Sequence, residues 1–324
     1  MMSDTKSIQT MTCEDCGIEC QRFGKHRNGL RRFRCPQCKR TYTEAHTKTL
    51  DTMNIPTWDK ALLAVRLLLE GNSIRSTERI SGLNRNTIMR VLVLAGEKAE
   101  KVSEQMIRNV PVSEVQADEI WSFIGKKEKM VKAGDDPTFG DAYCFTAIER
   151  STKLLLAWHL GRRTARDTEA FIEKVSEATA GHFQITTDGF AAYRDAVSYS
   201  LGTRVDFAQL IKVYAASPEG EHRYSPSEVV STEVVPVIGR PDPDKICTSH
   251  VERQNLTMRM QIRRFTRLTN AFSKKWENHY AALALYFAYY NFVRIHSSIR
   301  VTPAMEAGLT DHVWTLGEML QRVA

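Results

Sequence analysis

Short apolar runs alternate with amphipathic segments through the middle of the chain, between residues 111 and 212. The runs VSEVQADEIWSFIG, DAYCFTAIE and KLLLAWHLG are separated by brief turn signals and predict an antiparallel meander of three strands. The segments RDTEAFIEKVSEAT, HFQITTD, GFAAYRDAVSYS and RVDFAQLIK then predict a helix, a strand, a second helix and a fifth strand. A longer helix is expected around residue 252. This pattern predicts a mixed sheet flanked by helices.

The order of these elements is that of a ribonuclease-H-like fold, which we expect to occupy residues 109–300. Residues 51–108 carry a purely helical pattern, and residues 1–50 are too few to build an apolar core of their own. Residues 301–324 remain as a C-terminal tail. The sequence therefore predicts a multidomain chain of the α+β or α/β class.

Apolar positions recur with helical spacing between residues 57 and 98. A first helix ends at the sequence EGN, Ser73 opens a short second helix, and Gly82 marks a turn before a third helix from about Arg85 to Lys98. Two helices joined by a glycine turn are the pattern of a helix-turn-helix, although three short helices also form plain packing modules. The third helix of such a DNA reader would present side chains that pair with guanine and adenine: Arg85, Asn86 and Arg90.

Five of the seven cysteines fall in the first 38 residues. Cys13 and Cys16 form one CxxC pair, and 18 residues separate them from a second pair, Cys35 and Cys38. Two CxxC knuckles at this spacing are typical of a tetrahedral Zn²⁺ site, a zinc ribbon. The metal would supply much of the folding energy of so short a domain. The alternative, a CxxC redox pair, needs a strand–helix context that this segment lacks.

Positive charge is concentrated in two stretches of the chain. The formal net charge is +7, from 45 Lys and Arg against 38 Asp and Glu. Residues 1–50 carry a net +5 and residues 250–300 a net +7, so the remainder sums to −5. Two basic patches are typical of a protein that grips a phosphate backbone at two places, and also of two solvated faces. In the first patch, a hairpin with a turn near Asn28-Gly29 is predicted to present Arg31 and Arg32 to nucleic acid.

The distribution of apolar residues excludes two classes of protein. No stretch reaches 18 apolar residues, which argues against a transmembrane helix, and the first residues lack the apolar core of a secretory signal. We therefore expect a cytosolic protein with reduced thiols and no membrane partner. There is no glycine-rich phosphate loop and no Ser-His-Asp arrangement, so no nucleotide cofactor and no acyl chemistry are predicted.

Three carboxylates fall where a metal site is expected. Asp118 lies inside the first predicted strand, Asp188 ends the fourth, and Glu252 lies on the helix after the last strand. A carboxylate within an apolar strand is costly unless it is paired or binds a metal ion. Converging, these acids would hold two Mg²⁺ (or Mn²⁺) ions suited to in-line attack on a phosphodiester. Glu119 and Asp141 also lie near strand positions but have no partner pattern, and we interpret them as surface carboxylates.

The helix that carries Glu252 is predicted to be amphipathic. Its apolar stripe should face the sheet and consists of Val251, Met258, Ile262 and Phe265. A neighbouring stripe carries Glu252, Arg259 and Arg263, and Asn255 lies between the two stripes. One helix would thus supply a metal ligand and then DNA-binding groups along the flanking backbone.

Four segments resemble transposases of the DDE class: DEIWSFIGKK, TTDGFAAY, SHVERQNLTMRMQIRRFTRLTNAFSKKWENH and YNFVRIHSSIRVTPAMEAG. The resemblance is to the group around the first-numbered insertion-sequence family and, with the cysteine and helical modules, covers nearly the whole chain. It implies Mg²⁺-dependent cutting and joining of double-stranded DNA, terminal inverted repeats as the ligand, and a homo-oligomer that pairs two ends. By motif, Asp118, Asp188 and Glu252 match the three catalytic acids. Arg259 matches a basic position that is often lysine.

Two other functions are compatible with these residues. A DNA-binding regulator derived from a transposase would use the two N-terminal modules to bind DNA and the remainder for assembly. A nuclease of Holliday-junction or ribonuclease-H type would use the acids but leave those modules unexplained.

The proline-rich residues 217–245 depart from the pattern around them. They are predicted to form a loop or small insertion, with a strand pair in EVVSTEVVPVI. Such a segment either contacts DNA near the site or is a surface loop.

Overall fold

The computed structural model describes residues 10–26, 29–44, 57–214, 229–266 and 269–322. The chain divides into two compact units, Met1–Trp58 and Asp59–Ala324. Residue Asn28 and residues 217–228, on which two sequence predictions fall, lie outside the described residues.

The first unit is a three-stranded antiparallel sheet. Strand β1 (Gln21–Lys25) pairs with β2 (Arg31–Arg34), which pairs with β3 (Thr41–Thr43). The backbone N–H of His26 donates to the carbonyl of Leu30 at 2.8 Å, and Gly29 has φ +86°, a conformation that glycine adopts without steric cost. The hairpin predicted between the two cysteine pairs is confirmed.

The second unit opens with α1 (Trp58–Leu69), α2 (Ile74–Ser81) and α3 (Arg85–Met106). The Ser73 side chain caps α2 by accepting a hydrogen bond from the N–H of Ser76 at 3.1 Å. The Asn84 side chain caps α3 by accepting one from the N–H of Asn86 at 2.9 Å. Gly82, at φ +70°, ends α2 in the left-handed conformation, as its place in the sequence predicts.

The third helix is longer than predicted, because its apolar face continues beyond Lys98. Ala99 and Val102 are buried, and α3 packs along α7 (Trp276–Phe292). Gly96 lies at the closest approach, where a Cβ atom would stand 2.6 Å from the backbone of Ala281. The three helices and the sheet therefore belong to one packed unit.

Six strands of the second unit form one mixed sheet: β5 (Glu114–Ile124), β6 (Gly140–Glu149), β7 (Leu155–Gly161), β9 (Phe183–Thr187), β10 (Val205–Tyr214) and β11 (Val229–Ile238). Their order in the sheet is β11-β10-β9-β5-β6-β7. Neighbours β5–β6, β6–β7 and β10–β11 are antiparallel, whereas β5–β9 and β9–β10 are parallel. The short strands β4 (Val110–Pro111) and β8 (Thr179–Ala180) pair separately. The predicted meander, the later strands and the mixed sheet flanked by helices are confirmed.

The remaining helices connect and cover this sheet. Helices α4 (Ala165–Ala178) and α5 (Ala192–Ser200) follow β7 and β9, and α6 (Ser249–Gln261) packs on β5. After α7 the chain forms α8 (Pro303–Glu306) and α9 (Leu316–Gln321). The predicted tail is packed, since buried Trp314 stacks on Phe292 with ring centroids 4.7 Å apart. Among the described residues, every helix is too short or too polar to cross a bilayer.

Two predictions about local structure are wrong. The segment EVVSTEVVPVI does not form its own strand pair, because it supplies one strand, β11, that hydrogen-bonds to the otherwise open edge of β10. The helix that carries Glu252 does not reach Arg263, because α6 ends at Gln261 and Ile262 is extended. This exit allows Phe265 to pack on His279, with ring centroids 5.2 Å apart.

Candidate functional site

Two of the predicted acids meet because their strands are parallel neighbours. The pairing of β5 with β9 ends at Ala117 and Thr187, so Asp118 and Asp188 follow the last paired residues of adjacent strands. Strand β5 continues beyond this point whereas β9 stops. A carboxyl edge where one parallel strand ends is a usual position for a ligand site in α/β sheets.

The carboxylate cluster consists of Asp118, Glu119 and Asp188, and one oxygen from each lies within 4.8 Å of the other two. The interpretation of Glu119 as a surface carboxylate is wrong, since its side chain is only 4% exposed. Sequence reasoning missed it because consecutive strand residues point to opposite faces of a sheet. Asp188 lies beyond the end of β9, where the alternation of the strand no longer applies, and its carboxylate lies near those of both Asp118 and Glu119.

Asp118 is held by hydrogen bonds and has no cationic partner among the described residues. Its Oδ2 accepts from the Asn255 amide at 2.8 Å, and its Oδ1 accepts from the backbone N–H of Glu119 at 2.8 Å. Burial raises the pKa of Asp118 to about 7, and the charges of Glu119 and Asp188 act in the same direction. The ionised form of a carboxylate in this setting would be stabilised by a cation that takes the place of the proton.

Glu119 is tied to two side chains. Its Oε1 accepts from Arg163 Nε at 2.5 Å, and its Oε2 accepts from the Tyr193 hydroxyl at 3.0 Å. Burial and the charge of Asp188 raise the pKa of Glu119, while Arg163 opposes that shift. Both carboxylate oxygens are thus engaged within the protein.

Glu252 lies on the wall of the same cavity but outside the cluster of three. It forms an ion pair with Lys212 and accepts a hydrogen bond from the Thr248 hydroxyl at 2.6 Å. Its side chain is 43% exposed, which leaves space for it to turn toward the other three carboxylates. The cavity has a volume of about 750 Å³, and four carboxylates and three cationic side chains line it: Asp118, Glu119, Asp188, Glu252, Arg163, Lys212 and Arg259.

The other predicted DNA-binding residues of this helix are separated. Asn255 is 5% exposed and lies against Asp118 rather than on a surface. Arg259 lines the carboxylate cavity, whereas Arg263 lies in a 3₁₀ turn (Arg263–Phe265) and lines a different cleft of about 770 Å³ together with Arg85. Asn86 and Arg90 are exposed on the first turns of α3.

The loop after β9 is fixed by a buried glutamine that the sequence analysis did not identify. Gln209 on β10 donates from Nε2 to the carbonyls of Asp188 and Phe190 at 2.9 and 3.1 Å. Its Oε1 accepts from Arg194 Nε at 2.7 Å. A buried polar residue inside a strand was the available signal, because such a group needs hydrogen-bond partners.

In the first unit the four predicted metal ligands come together. The sulfur atoms of the four residues all lie within 4.8 Å of one another: Cys13, Cys16, Cys35 and Cys38. The Tyr42 hydroxyl lies 3.1 Å from Cys13 Sγ and lowers the pKa of that thiol to about 6, which favours the thiolate. Cys20 is buried beside the cluster but is not part of it. Arg31 is exposed, and the guanidinium of half-buried Arg32 lies 5.1 Å from the Phe23 ring centroid.

No protein-family model matches the chain, and no curated protein matches it. Among solved structures, the piggyBac transposase synaptic complex with hairpin DNA is similar at 11% identity and a TM-score of 0.36, covering 86% of this chain and 72% of that one. The Mos1 strand transfer complex is similar at 11% identity and a TM-score of 0.30, covering 86% and 78%. Scores this low do not establish a shared fold, so the chemistry of this chain has to follow from its own residues.

Proposed function

We propose that this chain is a DDE-class DNA transposase with a ribonuclease-H-like catalytic domain over residues 109–300. The observation that carries the proposal is the convergence of Asp118 and Asp188 at the ends of adjacent parallel strands, with Glu252 on the wall of the same cavity. The three acids come from a strand, a strand end and a helix, in the order that the resemblance implies. The reaction is metal-dependent cleavage of transposon ends followed by strand transfer.

The donor set of the cavity suits a hard divalent cation. Carboxylate oxygens are the ligands that Mg²⁺ and Mn²⁺ prefer. Burial and the charges of Glu119 and Asp188 raise the pKa of Asp118, and a bound cation would offset both causes. Asp118, Asp188 and Glu252 would hold the ions, which would activate water and then a 3′-hydroxyl as nucleophiles.

The surrounding side chains orient these acids. Asn255 holds Asp118 through its amide, and we assign it to this role in place of the DNA contact expected from the sequence. Lys212 and Thr248 hold Glu252 in its present position. Its movement toward Asp118 and Asp188 would require release of the ion pair with Lys212. Arg259 lines the cavity and supplies positive charge for the flanking DNA backbone.

The N-terminal modules provide binding to double-stranded DNA. The four cysteines suit a tetrahedral Zn²⁺ ion, so residues 1–50 form a zinc ribbon whose Arg31 and Arg32 contact DNA. Residues 51–108 form a helix-turn-helix that reads the terminal inverted repeats. Its reading groups lie on the exposed N-terminal turns of α3: Arg85, Asn86 and Arg90. Pairing of two ends requires a homo-oligomer on DNA.

The test is incubation of the full chain with DNA that carries the flanks of its own gene, in Mg²⁺ and in EDTA. We expect Mg²⁺-dependent 3′ ends at the flank boundaries for the wild type. Asp188→Asn and Asp118→Ala should bind the same DNA without cutting it. Binding without cleavage by the wild type in Mg²⁺ and in Mn²⁺ would reject the enzyme and favour a DNA-binding regulator.

A further inference from the structure

A guanidinium group is fixed at the edge of the carboxylate cluster by contacts that a metal site does not require. Arg163 lies between β7 and α4, immediately before Thr164, the residue that caps α4. Its side chain is 41% exposed and lines the cavity that holds Asp118 and Asp188. The sequence analysis did not identify this residue.

The orientation of Arg163 is set through Glu119. Arg163 donates from Nε to Glu119, and the Tyr193 hydroxyl holds the other oxygen of that carboxylate. Glu119 and Tyr193 are both buried side chains, so the acceptor for Arg163 is rigid. An arginine bound through Nε still directs one N–H of each Nη atom toward its far end, where the two can meet a second acceptor.

The same guanidinium lies over the ring of Phe190. The Arg163 Cζ atom lies 4.2 Å from the Phe190 ring centroid, within the range of a cation–π contact. Phe190 is itself fixed, since its backbone N–H donates to Asp188 Oδ1 at 3.0 Å and its ring packs edge-on against Tyr193. Arg163 is thereby oriented by an acid, a phenol and an aromatic ring together.

The Nη groups of Arg163 remain available to a ligand. The nearest carboxylate contact, from Nη2 to Asp188 Oδ2, is 3.6 Å, which is longer than a hydrogen bond. Among the described residues, none accepts a hydrogen bond from either Nη atom. The cavity carries four carboxylates against three cations, so a phosphodiester that enters it meets a net negative wall. A fixed cation beside the acids lowers that repulsion.

We propose that Arg163 binds the non-bridging oxygens of the scissile phosphodiester and stabilises the charge that develops on them, with Glu119 as its positioning residue. This inference rests on the proposed DNA-cleaving function. The paired Nη donors of a guanidinium match two phosphate oxygens, a geometry that a lysine ammonium does not reproduce. Arg163 keeps its proton throughout, so its role is electrostatic.

The first test compares cleavage rates of the full chain in Mg²⁺. Removal of one preorganised donor to developing charge typically costs about 10²–10³ in rate, and we expect a loss of that size for Arg163→Ala. Arg163→Lys should recover only part of it. Glu119→Gln should lose less than Arg163→Ala, about 10-fold, because it weakens only the anchor. Arg166→Ala is the matched control, an exposed arginine near the start of α4 that does not line the cavity, and it should cleave within about 2-fold of the wild type.

Two further readouts separate a phosphate contact from a structural role. Arg163→Ala should retain the circular dichroism of the folded wild type and bind Mn²⁺ at least as tightly, because the change removes a positive charge 3.6 Å from Asp188. A sulfur atom placed at one non-bridging oxygen of the scissile phosphate should slow the wild type but change the rate of Arg163→Ala far less. Wild-type cleavage by Arg163→Ala, alongside an inactive Asp118→Asn, would overturn the inference and leave the proposed function intact.

Chemical footprinting of arginines tests the contact between Arg163 and phosphate even if no cleavage is observed. Phenylglyoxal modifies accessible guanidinium groups, and mass spectrometry reports the modification of each arginine. With Ca²⁺ in place of Mg²⁺, duplex DNA carrying the gene's flanks should protect Arg163, whereas an excess of unrelated polyanion such as heparin should protect it less. Equal modification of Arg163 with and without DNA would reject the phosphate contact.

Discussion

The two candidate metal sites of this chain are assembled in opposite ways. The four clustered cysteines of the first unit lie within residues 13–38, and each pair is set by one tight turn. The carboxylates that line one cavity of the second unit are separated by up to 134 positions in the chain, between Asp118 and Glu252, and the order of strands and the packing of α6 bring them to that cavity. The comparison teaches that local spacing specifies a complete ligand set, whereas topology brings together groups that no spacing rule connects.

The largest expected effect concerns the cysteine cluster. Cys35→Ser should release the metal and unfold the first unit, because metal binding supplies about 10–16 kcal/mol in domains of this kind. Zinc content by atomic emission, together with amide exchange of residues 10–44, measures both losses. Cys20→Ala is the matched control, since Cys20 is buried but lies outside the cluster, and it should retain one Zn²⁺. Loss of zinc from Cys20→Ala would show that the local spacing does not identify the ligands.

The second effect distinguishes the two glutamates of the carboxylate cavity. Glu252→Gln should weaken Mn²⁺ binding at least about 10-fold, because it removes a ligand. Glu119→Gln should weaken it less than about 3-fold, since Arg163 and Tyr193 already occupy both carboxylate oxygens. Isothermal titration of the two isosteric variants makes the measurement. The opposite ranking would assign the metal to the cluster of Asp118, Glu119 and Asp188.

In a third change, helix propensity and tertiary packing predict opposite effects. In an isolated helix, replacement of Gly96 by alanine would stabilise the helix by about 1 kcal/mol. In this chain the new Cβ would lie 2.6 Å from Ala281, so we expect Gly96→Ala to destabilise the second unit by about 3 kcal/mol. Urea unfolding measures the change. Glu97→Ala, at an exposed position of the same helix, should stay within about 0.5 kcal/mol of the wild type.

A fourth effect is a pH dependence that originates in a buried histidine outside both candidate sites. Burial lowers the pKa of His279 to about 3, and the charge of Arg264 acts in the same direction. The imidazole is held neutral by Ser273 at 2.8 Å from Nδ1 and by Ser122 at 3.1 Å from Nε2. The unfolded chain gains a proton as the pH falls below about 6.5 while the folded chain does not, so stability is lost as the pH falls.

The size of this loss is about 2 kcal/mol between pH 7 and pH 5. It is best measured in Asp118→Asn, because the raised pKa of Asp118 makes the metal-free chain more stable as the pH falls and so opposes the effect of His279. Denaturant unfolding at both pH values gives the slope. If the additional replacement His279→Gln leaves the slope unchanged, another group is responsible.

The smallest effect tests a purely local feature. Asn84→Ala removes the cap of α3 and should cost about 1 kcal/mol. Asn86→Ala retains the backbone N–H that the cap binds and should cost less than about 0.5 kcal/mol. Thermal unfolding resolves the difference, and equal costs would mean that the cap contributes nothing.

The same division between local and long-range features explains what the sequence predicted. The individual strands, the start of α2 at Ser73 and the four cysteines each follow from residues close together in the chain. The strand β11 was predicted as a strand pair because nothing near residue 229 indicates that the edge of β10 is open.

The site residues that sequence reasoning missed share one property. Glu119, Arg163 and Gln209 are defined by partners 15 to 74 positions away. Glu119 has no partner pattern in the sequence, and the polar Gln209 within a predicted strand indicates a need for hydrogen bonds but not which groups supply them. The end of α6 at Gln261, which removes Arg263 from the predicted stripe, likewise follows from packing of Phe265 on His279.

The most direct test of the central claim is the anomalous diffraction of crystals grown with Mn²⁺. We predict a peak within bonding distance of Asp118 and Asp188 that disappears in Asp188→Asn. A peak elsewhere, or an unchanged peak in the variant, would contradict the assignment of these acids to a metal-dependent DNA-cleaving site.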